Sequence, residues 1–128
     1  MNDSNNPLSP HLQIYRWHIS SLLSITHRIS GIINLAALVF IFCWLSVLSF
    51  GENNYEIFLL IINSFFGKFI LVGFTWSMSF HVLSGIRHLS WDLGYGFEIE
   101  TANISGIVVI ILSLVLTIIF WLLARGFI

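Results

Sequence analysis

The sequence predicts an all-α integral membrane protein, with three transmembrane helices preceded by an interfacial N-terminal segment. Three observations carry that prediction. Of 128 residues, 57% are hydrophobic and 9% charged, and the mean hydropathy is +0.92; a soluble domain carries roughly a quarter charged residues. The few charges are spaced so that three long uncharged stretches lie between them. Five Lys and Arg stand against six Asp and Glu, a balance that offers no basic patch for nucleic acid. The single cysteine, Cys43, excludes a disulfide framework and any zinc or iron–sulfur site built from cysteines of this chain alone.

The elements follow in order along one domain, residues 1–128. Asn6-Pro7-Leu8-Ser9-Pro10 reads as an extended arm. From His11 to Ser24, Leu12, Ile14, Tyr15, Trp17 and Ile19 alternate with polar groups, which suits a segment at the membrane surface with Tyr15 and Trp17 as aromatic anchors. No basic start leads into an apolar stretch with a cleavage site, and the first fifteen residues hold Asp3 and no Arg, so neither a signal nor a transit peptide is expected.

Between Arg28 and Glu52 lie 23 uncharged residues, and a first span over 29–50 would cross a hydrocarbon core of ~30 Å at ~1.5 Å per residue. The second span is expected over 65–86, with Lys68 snorkelling from its end. The third is expected over 104–124, ahead of Arg125. Gly51–Ser64 and Arg87–Thr101 are left as the connecting loops. Strands are excluded because three cannot close a barrel, and lipid does not tolerate open edges. Arg16, Arg28 and Arg87 fall on one side and Lys68 and Arg125 on the other, favouring a cytoplasmic or matrix-facing N-terminus.

The chemistry gathers in the second span. His81 is the one ionisable residue well inside a span, roughly 7–8 Å below the interface at Ile86, and such residues are functional candidates by default. Gly73, Ser77, His81, Ser84, Gly85 and His88 recur at helical spacing and form a stripe of small and polar groups. The stripe would let a flat, bulky group approach, with His81 as its ligand. It would equally serve helix–helix packing, with His81 hydrogen-bonded to a neighbouring helix. A proton relay is a third reading, without a second intramembrane acid or base to continue it.

Arg87 stands six residues beyond His81. With His27 and Arg28 at the start of the first span, it could pair with haem propionates through charge-assisted hydrogen bonds, or the arginines could simply anchor helix ends in headgroups. Ser24, one turn before Arg28, could join it in presenting a hydroxyl and a guanidinium to a carbonyl-bearing ligand. Asp92 could pair with either arginine or cap its helix, and Cys43 reads as packing. His27 and His88 could pair near the interface, with neither level with His81. A haem on His81 would then need its second axial ligand from another chain, so the sequence predicts an obligate partner.

Pro7-Leu8-Ser9-Pro10-His11-Leu12-Gln13-Ile14-Tyr15, then Ser24-Ile25-Thr26-His27-Arg28-Ile29-Ser30-Gly31, then His81-Val82-Leu83-Ser84-Gly85-Ile86-Arg87-His88 continuing to Asp92, resemble the cytochrome b large membrane-anchor subunit of succinate dehydrogenase, respiratory complex II. The later two blocks match that family's motifs S-x-x-H-R-x-[ST]-G and H-x-x-x-G-x-R-H-x-x-x-D. The family usually has Arg before the first proline, where Asn6 stands here.

The resemblance implies a haem b shared with a smaller membrane-anchor subunit, with His81 as an axial iron ligand and His27, Arg28 and Arg87 near the propionates. It implies a ubiquinone site at Ser24 and Arg28, close to the iron–sulfur subunit, which is itself fed by the flavoprotein subunit. Ser24 would hydrogen-bond a quinone carbonyl, and Arg28 would stabilise negative charge developing on its oxygen. The implied role is that of a non-flavin subunit of succinate:ubiquinone reductase, not catalytic alone, in a mitochondrial inner or bacterial cytoplasmic membrane. A quinol:fumarate reductase anchor is the alternative of the same architecture, and a non-catalytic membrane scaffold is the alternative of another class. A small transporter is disfavoured because no helix is broken near the midplane.

Overall fold

The computed structural model describes residues 17–127, with side chains to residue 124. The N-terminal arm, Tyr15 and Arg16 lie outside the described residues, as does the side chain of Arg125. Four helices follow one another: α1 (Ile19–Ser49), α2 (Glu52–Asn63), α3 (Phe65–Asp92) and α4 (Ile99–Phe127). Among the described residues there is no strand. Ile19–Ser49, Phe65–Asp92 and Ile99–Ala124 are long and apolar enough to cross a membrane.

α1 starts at Ile19, ahead of Ile29, so that part of the segment expected to lie on the surface is continuous with the first helix. Its 31 residues extend about 46 Å at ~1.5 Å each, longer than a ~30 Å hydrocarbon core and therefore tilted in it or projecting beyond it. His18 precedes it in extended conformation, and its carbonyl accepts from the amides of Ser21 and Leu22. Trp17 is exposed.

The stretch left as a loop before the second span contains α2, which corrects that expectation. Its 12 residues are too short to cross a membrane. Glu52 in its first turn complements the helix dipole, and Asn54 Nδ2 donates to the carbonyl of Phe50 at 2.8 Å. Ser64 separates α2 from α3 and caps the latter, its Oγ accepting from the amide of Gly67 at 3.2 Å. The corner is tight: a Cβ on Gly67 would sit 2.7 Å from Ile62 Cα and against the carbonyls of Ile61 and Ile62, so only glycine fits without moving backbone.

α3 is the central helix, packed on both α1 and α4. At its end the Gly94 amide donates to Trp91 O at 2.8 Å, and Gly94 takes φ +88°. The indole Nε1 of Trp91 donates to Gly96 O at 3.0 Å, holding the link to α4.

The interior is small and polar. Buried apolar side chains are Leu23, Phe80 and Val109, while Ser30, Ser77, Ser84 and Ser113 are fully buried. Such residues let helix backbones approach closely where lipid removes the hydrophobic drive for association. Ser113 satisfies itself on Ile110 O at 2.8 Å and Thr117 on Ser113 O at 2.8 Å. Trp121 Nε1 reaches across to Thr75 Oγ1 at 3.3 Å, tying α4 to α3. Large apolar side chains such as Ile32, Leu35, Leu38, Phe42, Ile111 and Phe120 face outward, as expected where the surrounding solvent is hydrocarbon.

Candidate functional site

His81 projects from α3 against α1. Its Nδ1 lies 3.0 Å from Ser30 Oγ, and Ser30 Oγ is also 2.7 Å from the carbonyl of His27. A carbonyl only accepts, so the serine hydroxyl proton goes to His27 O, and His81 Nδ1–H donates to Ser30 Oγ. That leaves Nε2 of His81 as the nitrogen with a free lone pair.

The ring of His27 stacks on that of His81, with centroids 4.1 Å apart and planes 10° apart. On its other neighbour, His88, the centroid distance is 5.0 Å and the interplanar angle 25°. His27 is therefore level with His81, contrary to the expectation that neither His27 nor His88 would be. The reason is the early start of α1, which places His27 about 12 Å along an established helix rather than before it. His88 Nδ1 donates to Ser84 O at 2.7 Å. His88 also meets the Trp91 ring at 5.2 Å, edge-on, so rings run without a gap from His81 to the end of α3.

Two polar atoms in this region are buried without a partner, His27 Nδ1 and Ser84 Oγ. Buried polar groups are nearly always paired, and here both belong to residues that also flank the imidazole column.

The small-residue stripe divides. Ser77 is fully buried against α1, with its Oγ 2.9 Å from Asn34 Oδ1 and 3.1 Å from Ser30 O, so packing accounts for it. Gly73 is exposed and Gly85 half-buried, and a Cβ at either would meet nothing within 4 Å. Gly31 approaches the histidine from α1: a Cβ there would lie 3.3 Å from His81 Cε1.

Ser24 and Arg28 come together one turn apart. Arg28 Nη2 donates to Ser24 Oγ and Nε to Ser24 O, both at 3.3 Å. Because the hydroxyl oxygen accepts from the guanidinium, its own proton remains available to a ligand, and Arg28 is exposed beside it. Thr26 on the same turn is occupied with Leu22 O at 2.8 Å.

Arg87 takes a different direction. Only 7% exposed, it donates from Nε to Ser105 Oγ at 3.0 Å and from Nη2 to Ala102 O at 2.8 Å. Its Cζ lies 4.0 Å from the centre of the Trp91 ring. It thus joins α3 to α4, reaches the histidine column only through Trp91 and His88, and turns away from exposed Asp92. Cys43 is exposed on α1. Among the described residues no group of three His, Cys, Asp or Glu side chains assembles to hold a metal ion.

Sequence reasoning missed the part played by Ser30 and Asn34. Ser30 stands three residues after His27, the spacing at which a hydroxyl reaches back to a carbonyl of its own helix, and that signal was present in the chain.

Residues 2–120 match the model of the succinate dehydrogenase/fumarate reductase transmembrane subunit family. The succinate dehydrogenase cytochrome b556 subunit of Rickettsia prowazekii is 44% identical over 118 residues, covering 92% of either chain. That of Paracoccus denitrificans is 39% identical, covering 92% of this chain and 91% of its own. The mitochondrial succinate dehydrogenase cytochrome b560 subunit of Mus musculus is 41% identical, covering 86% of this chain and 66% of its own. With three membrane-crossing helices, the chain is a multi-pass subunit of an energy-transducing inner membrane, and it belongs to the succinate dehydrogenase/fumarate reductase transmembrane subunit family.

Proposed function

We propose that this subunit anchors succinate dehydrogenase in the membrane, carries one side of a haem b on His81, and binds ubiquinone at Ser24 and Arg28. The observation that carries the reading is the state of His81: Nδ1 is committed to Ser30, and Nε2 is left with its lone pair. A ligating histidine characteristically donates its other ring N–H to a fixed acceptor, so the donor set fits an iron-bound porphyrin. The buried, unpartnered Nδ1 of His27 suits the same place, as an atom awaiting a hydrogen-bond partner such as a propionate.

Bound there, haem b supplies a one-electron store within the membrane. His81 would hold it from this chain, and the smaller membrane-anchor subunit would supply the remaining protein ligand. His27 through its ring and Arg28 through an exposed guanidinium would meet the propionates. Arg87 acts at longer range, through Trp91 and the α3–α4 joint. At the quinone, the free Ser24 proton binds a carbonyl oxygen, and Arg28 stabilises charge that develops there on reduction. Electrons arrive from the iron–sulfur subunit, supplied in turn by the flavoprotein subunit. The names of the relatives favour the succinate-oxidising direction over the fumarate-reducing one.

The test is a reduced-minus-oxidised optical spectrum of the purified complex, with wild type beside His81→Ala. Sharp b-type bands in the wild type that vanish or shift in the variant are expected. A wild type without such bands overturns the haem assignment, as does a variant that keeps them unchanged.

A further inference from the structure

Ser30 is buried, at 1% exposure, and its hydroxyl both donates and accepts. Its hydroxyl proton goes to His27 O and its oxygen accepts from His81 Nδ1, while Ser77 Oγ lies 3.1 Å from its carbonyl and 2.9 Å from Asn34 Oδ1, two acceptors that share one hydroxyl proton. We infer that Ser30 is a positioning residue for His81: it fixes the tautomer in which Nε2 keeps its lone pair for iron, and sets how strongly that nitrogen donates. The inference rests on the haem reading above.

A serine facing a histidine usually leaves the tautomer open, because the hydroxyl can give or receive. Here the 2.7 Å contact with a carbonyl uses the only proton the hydroxyl has. Ser30 is thereby a pure acceptor toward His81, and the imidazole must protonate at Nδ1. A hydrogen bond donated by Nδ1–H makes the opposite nitrogen more basic, which favours ferric over ferrous iron and holds the potential down. Ser77, on α3 with His81, packs its hydroxyl against both Ser30 O and Asn34 Oδ1 of α1, which holds the two helices in register at this point. Gly31 leaves the space that keeps the ring in line, with the would-be Cβ contact at 3.3 Å from Cε1.

The experiment is redox titration of the haem bands in the assembled complex, comparing wild type with Ser30→Ala and Ser30→Cys. Ser30→Ala is expected to retain a b-type spectrum, raise the midpoint potential, and loosen haem retention by roughly 10–100-fold, the usual effect of losing an outer-shell partner. A potential equal to wild type in Ser30→Ala overturns the inference while leaving the haem reading intact. Should Ser30→Ala fail to assemble, Ser30→Cys decides: its weakly accepting sulfur is expected to give a smaller rise, and a wild-type potential there overturns the inference. A merely structural serine would alter the amount of complex without moving the potential of the fraction that assembles. Absence of haem from the wild type would overturn the haem reading itself, and this inference with it.

Discussion

The imidazoles of His27 and His81 lie face to face, 4.1 Å apart and within 10° of parallel, so that a residue of α1 forms one wall of the space around a residue of α3. The two motifs that carry them are far apart in the chain, and the stack is where they become one site.

His27→Ala removes that wall, and His27→Phe keeps a flat ring in it. A stacked pair of this kind contributes about 0.5–1.5 kcal/mol beyond burial. His27→Ala is therefore expected to reduce haem occupancy by roughly 2–10-fold, with broadened bands, while His27→Phe stays closer to wild type. Pyridine haemochrome content per complex measures it, and equal losses in both variants would count against the stacking role.

Arg28→Ala separates the quinone end from the rest of the complex. A hydrogen bond to a charged group contributes about 1.5–3 kcal/mol, so ubiquinone reduction by succinate should fall at least about tenfold. Succinate oxidation by an artificial acceptor at the flavin or cluster end should be nearly unchanged. Parallel assays on one preparation check this, and equal losses would remove Arg28 from the quinone site.

Arg87→Lys tests the joint between α3 and α4. Lysine cannot serve Ser105 Oγ and Ala102 O while also keeping its charge over the Trp91 ring as the guanidinium does. A loss of about 2–3 kcal/mol is expected, read as an earlier thermal transition of the detergent-solubilised complex.

Gly67→Ala and Gly73→Ala should have opposite signs. At Gly67 the new Cβ runs into backbone of Ile61 and Ile62, which cannot swing aside as a side chain can, and a cost of about 1–3 kcal/mol is expected. At Gly73 the Cβ meets nothing within 4 Å, and alanine should be neutral or stabilise α3 by up to about 1 kcal/mol. Thermal melts of the two complexes side by side distinguish them.

The three membrane-crossing helices were legible because charges punctuate the chain and lipid admits few alternatives. α2 was not, since its apolar run Ile57–Ile62 is too short to show a helical period and sits between Asn and Ser residues that read as a turn. The signal that could have found it is the Gly51-Glu52 start and the Ser64 cap of the next helix. Ser24 with Arg28 was readable from spacing within one helix. The partners of His81 were not, because Ser30 and His27 meet it only through the packing of two helices, and no intrahelical spacing encodes that. Arg87 shows the converse: its position along α3 was clear from the sequence, but its direction was decided by Ser105 and Ala102 on α4.

The serine-lined interior has a consequence for how this chain tolerates change. In a water-soluble protein the large apolar residues are the guarded ones and the outer hydroxyls drift freely. Here the guarded quantity at Ser77, Ser84 and Ser113 is size. A serine there can lose its hydroxyl to become alanine at modest cost, whereas one added branch would wedge two backbones apart. Outward Leu, Ile and Phe that face lipid rather than a partner subunit can exchange with one another at little cost. Random mutagenesis should return a map that is the negative of a globular enzyme's, its intolerant positions tracing the narrow seams along which the helices touch.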